Sequence, residues 1–408
     1  MTLENIMTRR HSLSASVAAI ATFFWLSTTL AGLAPINSVE DAVKFESSLF
    51  IPTGKFWNKP TGTPGAPGQL IRSEQAQDYR IPKGASATRI LYWSNDLYQS
   101  PTIASAVLIK PAGAAPKDGY PLVVWAHGTM GVGQMCGASN SVDVGYNVMP
   151  LLAQGFAVLA VDYAGLATEG GHGYMNKIVN ATDVINAVPA AQKAVKGVTR
   201  QWVAIGHSQG AQAVWGVAEQ QALRRDPHYL ASVALAPAVG GADLLEANAQ
   251  QQGALFYPVY MARAIKQQFP GFDINTMLTP EAAARYDDLV NKGCYFYAQA
   301  AFAQAKPGSV LKTDWSTQPY VSDFFAINQV GNKATAGPLL VVIGTADDAT
   351  PPAVIEAQAK KACAAGNSIV LRWFPGDHVG MLQTSLADVT AWIKDRFAGK
   401  AVTGACAN

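Results

Sequence analysis

In Trp202-Val-Ala-Ile-Gly206-His-Ser208-Gln-Gly210-Ala-Gln-Ala-Val-Trp215 the chain changes character within a few residues. Trp202 to Ile205 is a short apolar run of strand type, whereas Gly210 to Gln221 is rich in Ala, Gln and Glu and contains no Pro, as a helix would be. The chain must reverse sharply between the two, and Ser208 sits on the reversal. Gly206-x-Ser208-x-Gly210 is the pattern of a nucleophile elbow: two residues without a Cβ let strand and helix approach closely and leave the serine Oγ exposed on a strained turn. The free N–H groups at the start of the following helix point to where an oxyanion would form.

On either side of this stretch, apolar runs alternate with helical ones. Leu122 to Ala126 is continuous, as a strand buried on both faces should be, and ends at His127-Gly128-Thr129. A helix near Val144 to Gln154 leads to the strand Phe156 to Val161, then to Asp162-Tyr-Ala-Gly165 and the helix Lys177 to Val195. Leu230 to Ala236 follows the elbow helix as a further strand. This alternation predicts right-handed crossovers and a mostly parallel sheet with helices on both faces, Ser208 lying at its carboxyl edge. Ahead of it, Thr88 to Ser94 and Ile103 to Lys110 could form a hairpin, bounded by the turn formers Ser100-Pro101 and Pro111 to Gly119. Residues 35 to 80, with Pro60 to Gly68 too rich in Pro and Gly for regular structure, read as a lead-in on the outside of the core. From Gly240 to Gly337 the alternation stops, and helix-like segments loaded with Phe, Tyr and Met take over. The expected organisation is therefore a first core segment over 35–239, an inserted helical cap over 240–337, and a second core segment over 338–408 with strands Leu339 to Gly344 and Ile369 to Phe374 and a last helix Leu382 to Phe397.

The 408 residues are 49% hydrophobic and 14% charged, enough for a large core, and the net charge of +2 gives no electrostatic case for a nucleic-acid partner. Arg9 and Arg10, the apolar run Val17 to Leu26 and the small residues Thr29, Ala31, Gly32 and Ala34 follow the order of a secretory signal peptide over 1–34, and cleavage after Ala31 satisfies the small-residue rule. The alternative is an uncleaved anchor, although the run is short for a span of about 20 residues, and no later segment could span a bilayer. A secreted or periplasmic protein is expected, with no stable membrane insertion after cleavage. Cys136, Cys294, Cys363 and Cys406 include no CxxC pair, so zinc is not expected, and two structural disulfides are. No cofactor is expected either, because Gly131-Val-Gly133 lacks the strand and spacing of a dinucleotide fingerprint.

A nucleophilic serine needs a base, and six histidines permit elimination. His11 leaves with the leader, His207 is the serine's neighbour and points elsewhere, and His127 and His172 precede the nucleophile. In the chain order Ser, acid, His, the choice falls on His378 in Pro375-Gly-Asp-His-Val-Gly380, since His228 precedes any acid on a later strand. The acid should follow the preceding strand, where Gly344-Thr-Ala-Asp347-Asp348 offers Asp347, with Asp348 as the alternative and Asp377 less suited beside the histidine itself. Asp162 reads as structural. The oxyanion donors would be the N–H of Gln209 and that of Thr129, or of Gly128 if the loop is shifted by one.

Ala126-His-Gly-Thr, Val161-Asp-Tyr-Ala-Gly-Leu, Gly206-His-Ser-Gln-Gly, Gly344-Thr-Ala-Asp and Asp377-His, with four cysteines, resemble the secretory lipase family of the α/β-hydrolase superfamily, the fungal lipase A type and its bacterial secreted relatives. The resemblance runs from about residue 45 to the end, with Ala167 standing where relatives often carry glycine. It implies an α/β-hydrolase fold, hydrolysis of carboxylic esters through an acyl-enzyme, and a cap over an acyl-binding tunnel. The expected disulfides are Cys136 to Cys294, tethering cap to core, and Cys363 to Cys406, tying the tail to the sheet. Phe256, Tyr260 and Met261 are the candidate tunnel residues. A serine peptidase or other acyl hydrolase on the same fold, and a catalytically inactive binding module, are the competing readings. The substrate expected is an acyl ester or lipid.

Overall fold

The computed structural model describes residues 36, 38–144, 148–404 and 406; the expected signal peptide lies outside them. Among the described residues β1 (Leu70–Ala76), β2 (Ser86–Asn95), β3 (Pro101–Lys110), β4 (Tyr120–Ala126), β5 (Ala157–Val161), β6 (Val198–His207), β7 (Tyr229–Leu235), β8 (Leu339–Gly344) and β9 (Ile369–Phe374) form one sheet in the order β1-β2-β3-β5-β4-β6-β7-β8-β9. The first three strands are antiparallel, β3 meets β5 antiparallel, and every pair from β5 to β9 is parallel. β5 and β8 are buried at every position, which is why they are uniformly apolar rather than alternating.

Among the described residues four helices precede β7: α1 (Val39–Leu49), α2 (Val148–Ala153), α3 (Lys177–Ala194) and α4 (Gln209–Arg224). Six more, α5 (Ala242–Ala249), α6 (Tyr257–Gln268), α7 (Pro280–Ala283), α8 (Tyr286–Asn291), α9 (Tyr295–Ala301) and α10 (Val321–Asn328), lie between β7 and β8, and α11 (Pro352–Ala364) and α12 (Gly380–Phe397) finish the fold. On one face of the sheet Ala181, Val184, Val214, Trp215 and Ile355 from α3, α4 and α11 pack on Leu122, Val124 and Val341. On the other, Val148, Leu151, Val389 and Trp392 from α2 and α12 pack on Val123, Trp125 and Val342. The helices between β7 and β8 enclose their own apolar cluster around Phe256, Tyr260, Phe272, Trp315 and Phe324. No helix of the described residues is long and apolar enough to cross a membrane.

The lead-in is more ordered than its composition suggests, since it supplies both α1 and β1. β1, Leu-Ile-Arg-Ser-Glu-Gln-Ala, pairs only with β2 and is half exposed, so its polar composition is that of an edge strand and hides its periodicity. α1 is capped by Ser38, whose Oγ accepts from Asp41 N at 3.1 Å, and buries Glu46. That carboxylate accepts from the backbone N–H groups of Cys294 (2.8 Å) and Tyr297 (2.9 Å), closing the start of α9. Cys136 is bonded to Cys294 and Cys363 to Cys406, each with Cα atoms 5.6 Å apart.

Candidate active site

Ser208 sits between β6 and α4, as the helix N-cap, with φ 56° and ψ −117°, a strained conformation held by Ser208 N donating to Leu235 O at 3.0 Å and Ala238 N donating to Ser208 O at 3.1 Å. The two elbow glycines are there for space. A Cβ on Gly206 would sit 2.3 Å from Gly210 O, and one on Gly210 only 1.9 Å from Ala126 O, so β4, β6 and α4 could not converge with larger residues. Ser208 is buried but lines a cavity between sheet edge and insertion, and His378 lines the same cavity.

His378 Nδ1 lies 2.8 Å from Asp347 Oδ2. Asp347 is 4% exposed and fixed on its other sides: Ala349 N and Thr350 N donate to Oδ1 at 3.0 and 2.8 Å, and Thr350 Oγ1 donates to Oδ2 at 2.8 Å. Burial would raise its pKa, but the His378 and Thr350 hydrogen bonds together with the histidine's charge outweigh it and hold the carboxyl below its ordinary value. The neighbouring acids are used otherwise. Asp348 is exposed, and Asp377 Oδ1 accepts from Val379 N and Gly380 N at 3.2 and 2.7 Å, capping α12. His207, expected to point elsewhere, turns to the site: its Nε2–H donates to His378 O at 2.8 Å, and the two rings lie 4.5 Å apart. Burial holds His207 neutral, with a pKa lowered to about 3. His207 and Thr350 escaped the sequence reading, although Asp-Asp-Ala-Thr-Pro is a legible signal for a carboxylate turning back on its own backbone.

Gln209 is the first residue of α4, where N–H groups have no intrahelical acceptor, and Thr129 lies in the loop after β4. The side chains of both are held. Gln209 Nε2 is 2.9 Å from His172 Nε2, and Thr129 Oγ1 is 2.9 Å from Tyr174 OH. Asp162 is fully buried, accepts from Ser105 Oγ (2.5 Å) and Ser139 N (3.0 Å), and does not line the cavity. His228 is likewise away from it.

On the insertion side the cavity is lined by Leu244, Leu245, Tyr257, Met261, Phe324 and Phe325. Of the three expected tunnel residues only Met261 is among them. Phe256 and Tyr260 are fully buried in the insertion's own core, Tyr260 OH donating to Cys294 O at 3.0 Å. The correction follows from helix phase: 257 and 261 share one stripe of α6, and 256 and 260 share the adjacent stripe turned inward.

The Secretory lipase family model matches residues 136–405 of this chain. A Mycobacterium tuberculosis (strain CDC 1551 / Oshkosh) protein named probable inactive lipase is 24% identical over 376 residues, covering 85% of this chain and 82% of its own. Among solved structures, the rice cell wall degrading esterase LipA from Xanthomonas oryzae, in a ligand-bound form, superposes with a TM-score of 0.68 at 16% identity over 83% of this chain and 100% of that one. Candida antarctica lipase A in its closed state gives a TM-score of 0.70 at 15% identity over 88% and 89%. The structural likeness carries the fold, that of the α/β-hydrolases.

Proposed function

The chain belongs to the secretory lipase family, and from that premise we propose that it is a secreted serine carboxylic ester hydrolase, a lipase or esterase that cleaves acyl esters through an acyl-enzyme. The observation that carries this reading is the Asp347–His378 hydrogen bond on the wall of the cavity that Ser208 also lines from a strained elbow. Asp347 fixes Nδ1 as the protonated nitrogen, which leaves Nε2 as the base. Ser208 Oγ then attacks the ester carbonyl while His378 takes its proton, and the N–H groups of Gln209 and Thr129 receive the oxyanion. As the tetrahedral intermediate collapses, His378 returns the proton to the leaving alcohol; water repeats the sequence to free the acid and restore Ser208.

Residues 240–337 act as a cap in this reading, and the face carrying Leu244, Leu245, Tyr257, Met261, Phe324 and Phe325 receives the acyl chain. Each methylene fully buried there gains about 0.8 kcal/mol, so kcat/KM should climb with acyl length until the cavity is full. Two disulfides suit an oxidising compartment, and export by the signal peptide over 1–34 is part of the same proposal. One relative's name favours a second reading, an inactive member. Hydrolysis measured over p-nitrophenyl esters of graded acyl length, with a peptide substrate and the Ser208→Ala variant alongside, separates the two: rising kcat/KM lost in the variant supports the enzyme, and equal background rates support the inactive protein.

A further inference from the structure

The residue after the nucleophile and the residue at the tip of the loop after β4 lie on different elements, yet the side chains of both reach the same loop, residues 162–176, that joins β5 to α3. Resting on the hydrolase reading above, we infer that this loop sets the oxyanion hole, with Tyr174 and His172 as positioning residues for Thr129 and Gln209. His172 is fully buried and Gln209 is 1% exposed, and neither would be polar there for packing alone. Burial holds His172 neutral with a pKa lowered to about 3, and because the Gln209 amide nitrogen can only donate, His172 Nε2 is the acceptor of that contact. Tyr174, 4% exposed, pairs its hydroxyl with Thr129 Oγ1. A third tie reaches the same loop after β4: Tyr163 OH donates to His127 O at 2.8 Å, and the Tyr163 ring stacks on His172 at 5.4 Å and 15°.

The loop that makes these ties is itself anchored to α3. Asp183 accepts from Ala164 N at 2.8 Å, and the chain crosses itself so tightly at Gly165 that a Cβ there would sit 2.1 Å from the Gly171 carbonyl carbon. One rigid segment therefore fixes the two donors relative to each other rather than each to its own element. Their spacing matters because an oxyanion donor works only within about 2.7 to 3.1 Å of the developing charge, and a displacement of about 1 Å can cost on the order of a hundredfold in rate.

Tyr174→Phe keeps the ring and removes the hydroxyl. It is expected to lower kcat by about ten- to a hundredfold with KM within about twofold, the signature of an interaction felt only in the transition state. Phosphonylation by a p-nitrophenyl phosphonate, whose charged oxygen uses the same hole, should slow in parallel. Because Tyr174 acts through Thr129, the Thr129→Val, Tyr174→Phe double variant should be no slower than Thr129→Val alone. Gln209→Met, which keeps the N–H and removes the amide, should lose kcat in the same way and carries the test if Tyr174→Phe does not fold. Wild-type kcat in Tyr174→Phe, a loss confined to KM, or multiplied losses in the double variant would overturn the inference while leaving the hydrolase standing. No ester hydrolysis by the wild-type chain, or full activity in Ser208→Ala, would instead bring down the hydrolase reading and this inference with it.

Discussion

Asp347 and Asp348 are neighbours of identical chemistry, and the fold gives them opposite settings. Asp347 is enclosed, receives hydrogen bonds from Ala349, Thr350 and His378, and has its pKa held down; Asp348 faces solvent. Asp347→Asn is expected to lower kcat by about a hundred- to ten-thousandfold, because an amide no longer holds the imidazole in the right tautomer, while Asp348→Asn stays within about threefold. Steady-state kinetics of the two variants decide it, and the reverse ranking would move the acid by one place. The sequence favoured Asp347 by its place after β8 but kept Asp348 as the alternative, because spacing alone cannot say which of two adjacent carboxylates turns inward; the Thr350 hydrogen bonds go to Asp347. A second residue effect sits at Ala167, in the loop between β5 and α3. It adopts φ 55°, a left-handed conformation costing a side chain about 1 to 2 kcal/mol, so Ala167→Gly should raise stability slightly, by less than about 1 kcal/mol after the extra entropy of an unfolded glycine. A urea midpoint that falls instead would show that the Ala167 methyl, fully buried, contributes more by packing than its backbone costs.

α6 shows how an element divides its labour by phase. Met261→Ala should move the acyl-length optimum, whereas Phe256→Ala should leave it where it was; both side chains are buried, so both variants should lose stability, by about 2 to 5 and about 3 to 5 kcal/mol. Acyl-length profiles and thermal unfolding of both variants check the division, and a shifted optimum in Phe256→Ala alone would contradict it. The sequence picked out this helix by its aromatics, but with no sheet alternation to set its phase it could not tell the inward stripe from the cavity stripe. Another element-level device was invisible to it. Lys177 and Glu219, 2% and 3% exposed, pair at 2.6 Å, and Lys177 Nζ and Glu219 Oε1 also hold Gln329 O (2.6 Å) and Gly331 N (2.9 Å), fastening the segment after α10 to α3 and α4. Lys177→Met should destabilise by about 3 to 5 kcal/mol by stranding a buried carboxylate. The central strands were legible because both their faces are buried, which makes them continuously apolar. β1, α1 and α11 were not, since an edge strand and half-exposed helices carry weaker patterns.

At the scale of the molecule, buried ionisable groups set how stability depends on pH. Burial lowers His127, His172 and His207 to about 4, 3 and 3 from 6.5, so the unfolded chain binds their protons first; the stability they give is complete above pH 6.5 and lost as pH falls toward those values. Burial raises Asp162 and Asp183 to about 6 and about 7 from 3.8, so they act the other way, their contribution being complete below 3.8 and lost as pH rises through 6 and 7. Three histidines against these two acids contribute a loss of roughly 1.4 kcal/mol per pH unit on going from about pH 6 to about pH 4, which Glu46, also raised by burial, reduces, and Asp183→Asn should steepen the slope. Denaturant unfolding across that range measures the slope; an unchanged or shallower slope in the variant would contradict the assignment. The parallel core was legible at this scale, since strand and helix alternate through it, whereas the opposition of buried acids and histidines depends on contacts between residues far apart in sequence. The most direct test of the central claim, that Ser208 is a nucleophile activated by His378, is covalent labelling with a p-nitrophenyl phosphonate followed by peptide mass mapping. A single adduct on Ser208 is expected, absent in Ser208→Ala and formed at least about a hundredfold more slowly in His378→Gln; an adduct on another residue, or a rate untouched by removing His378, would rule that role out.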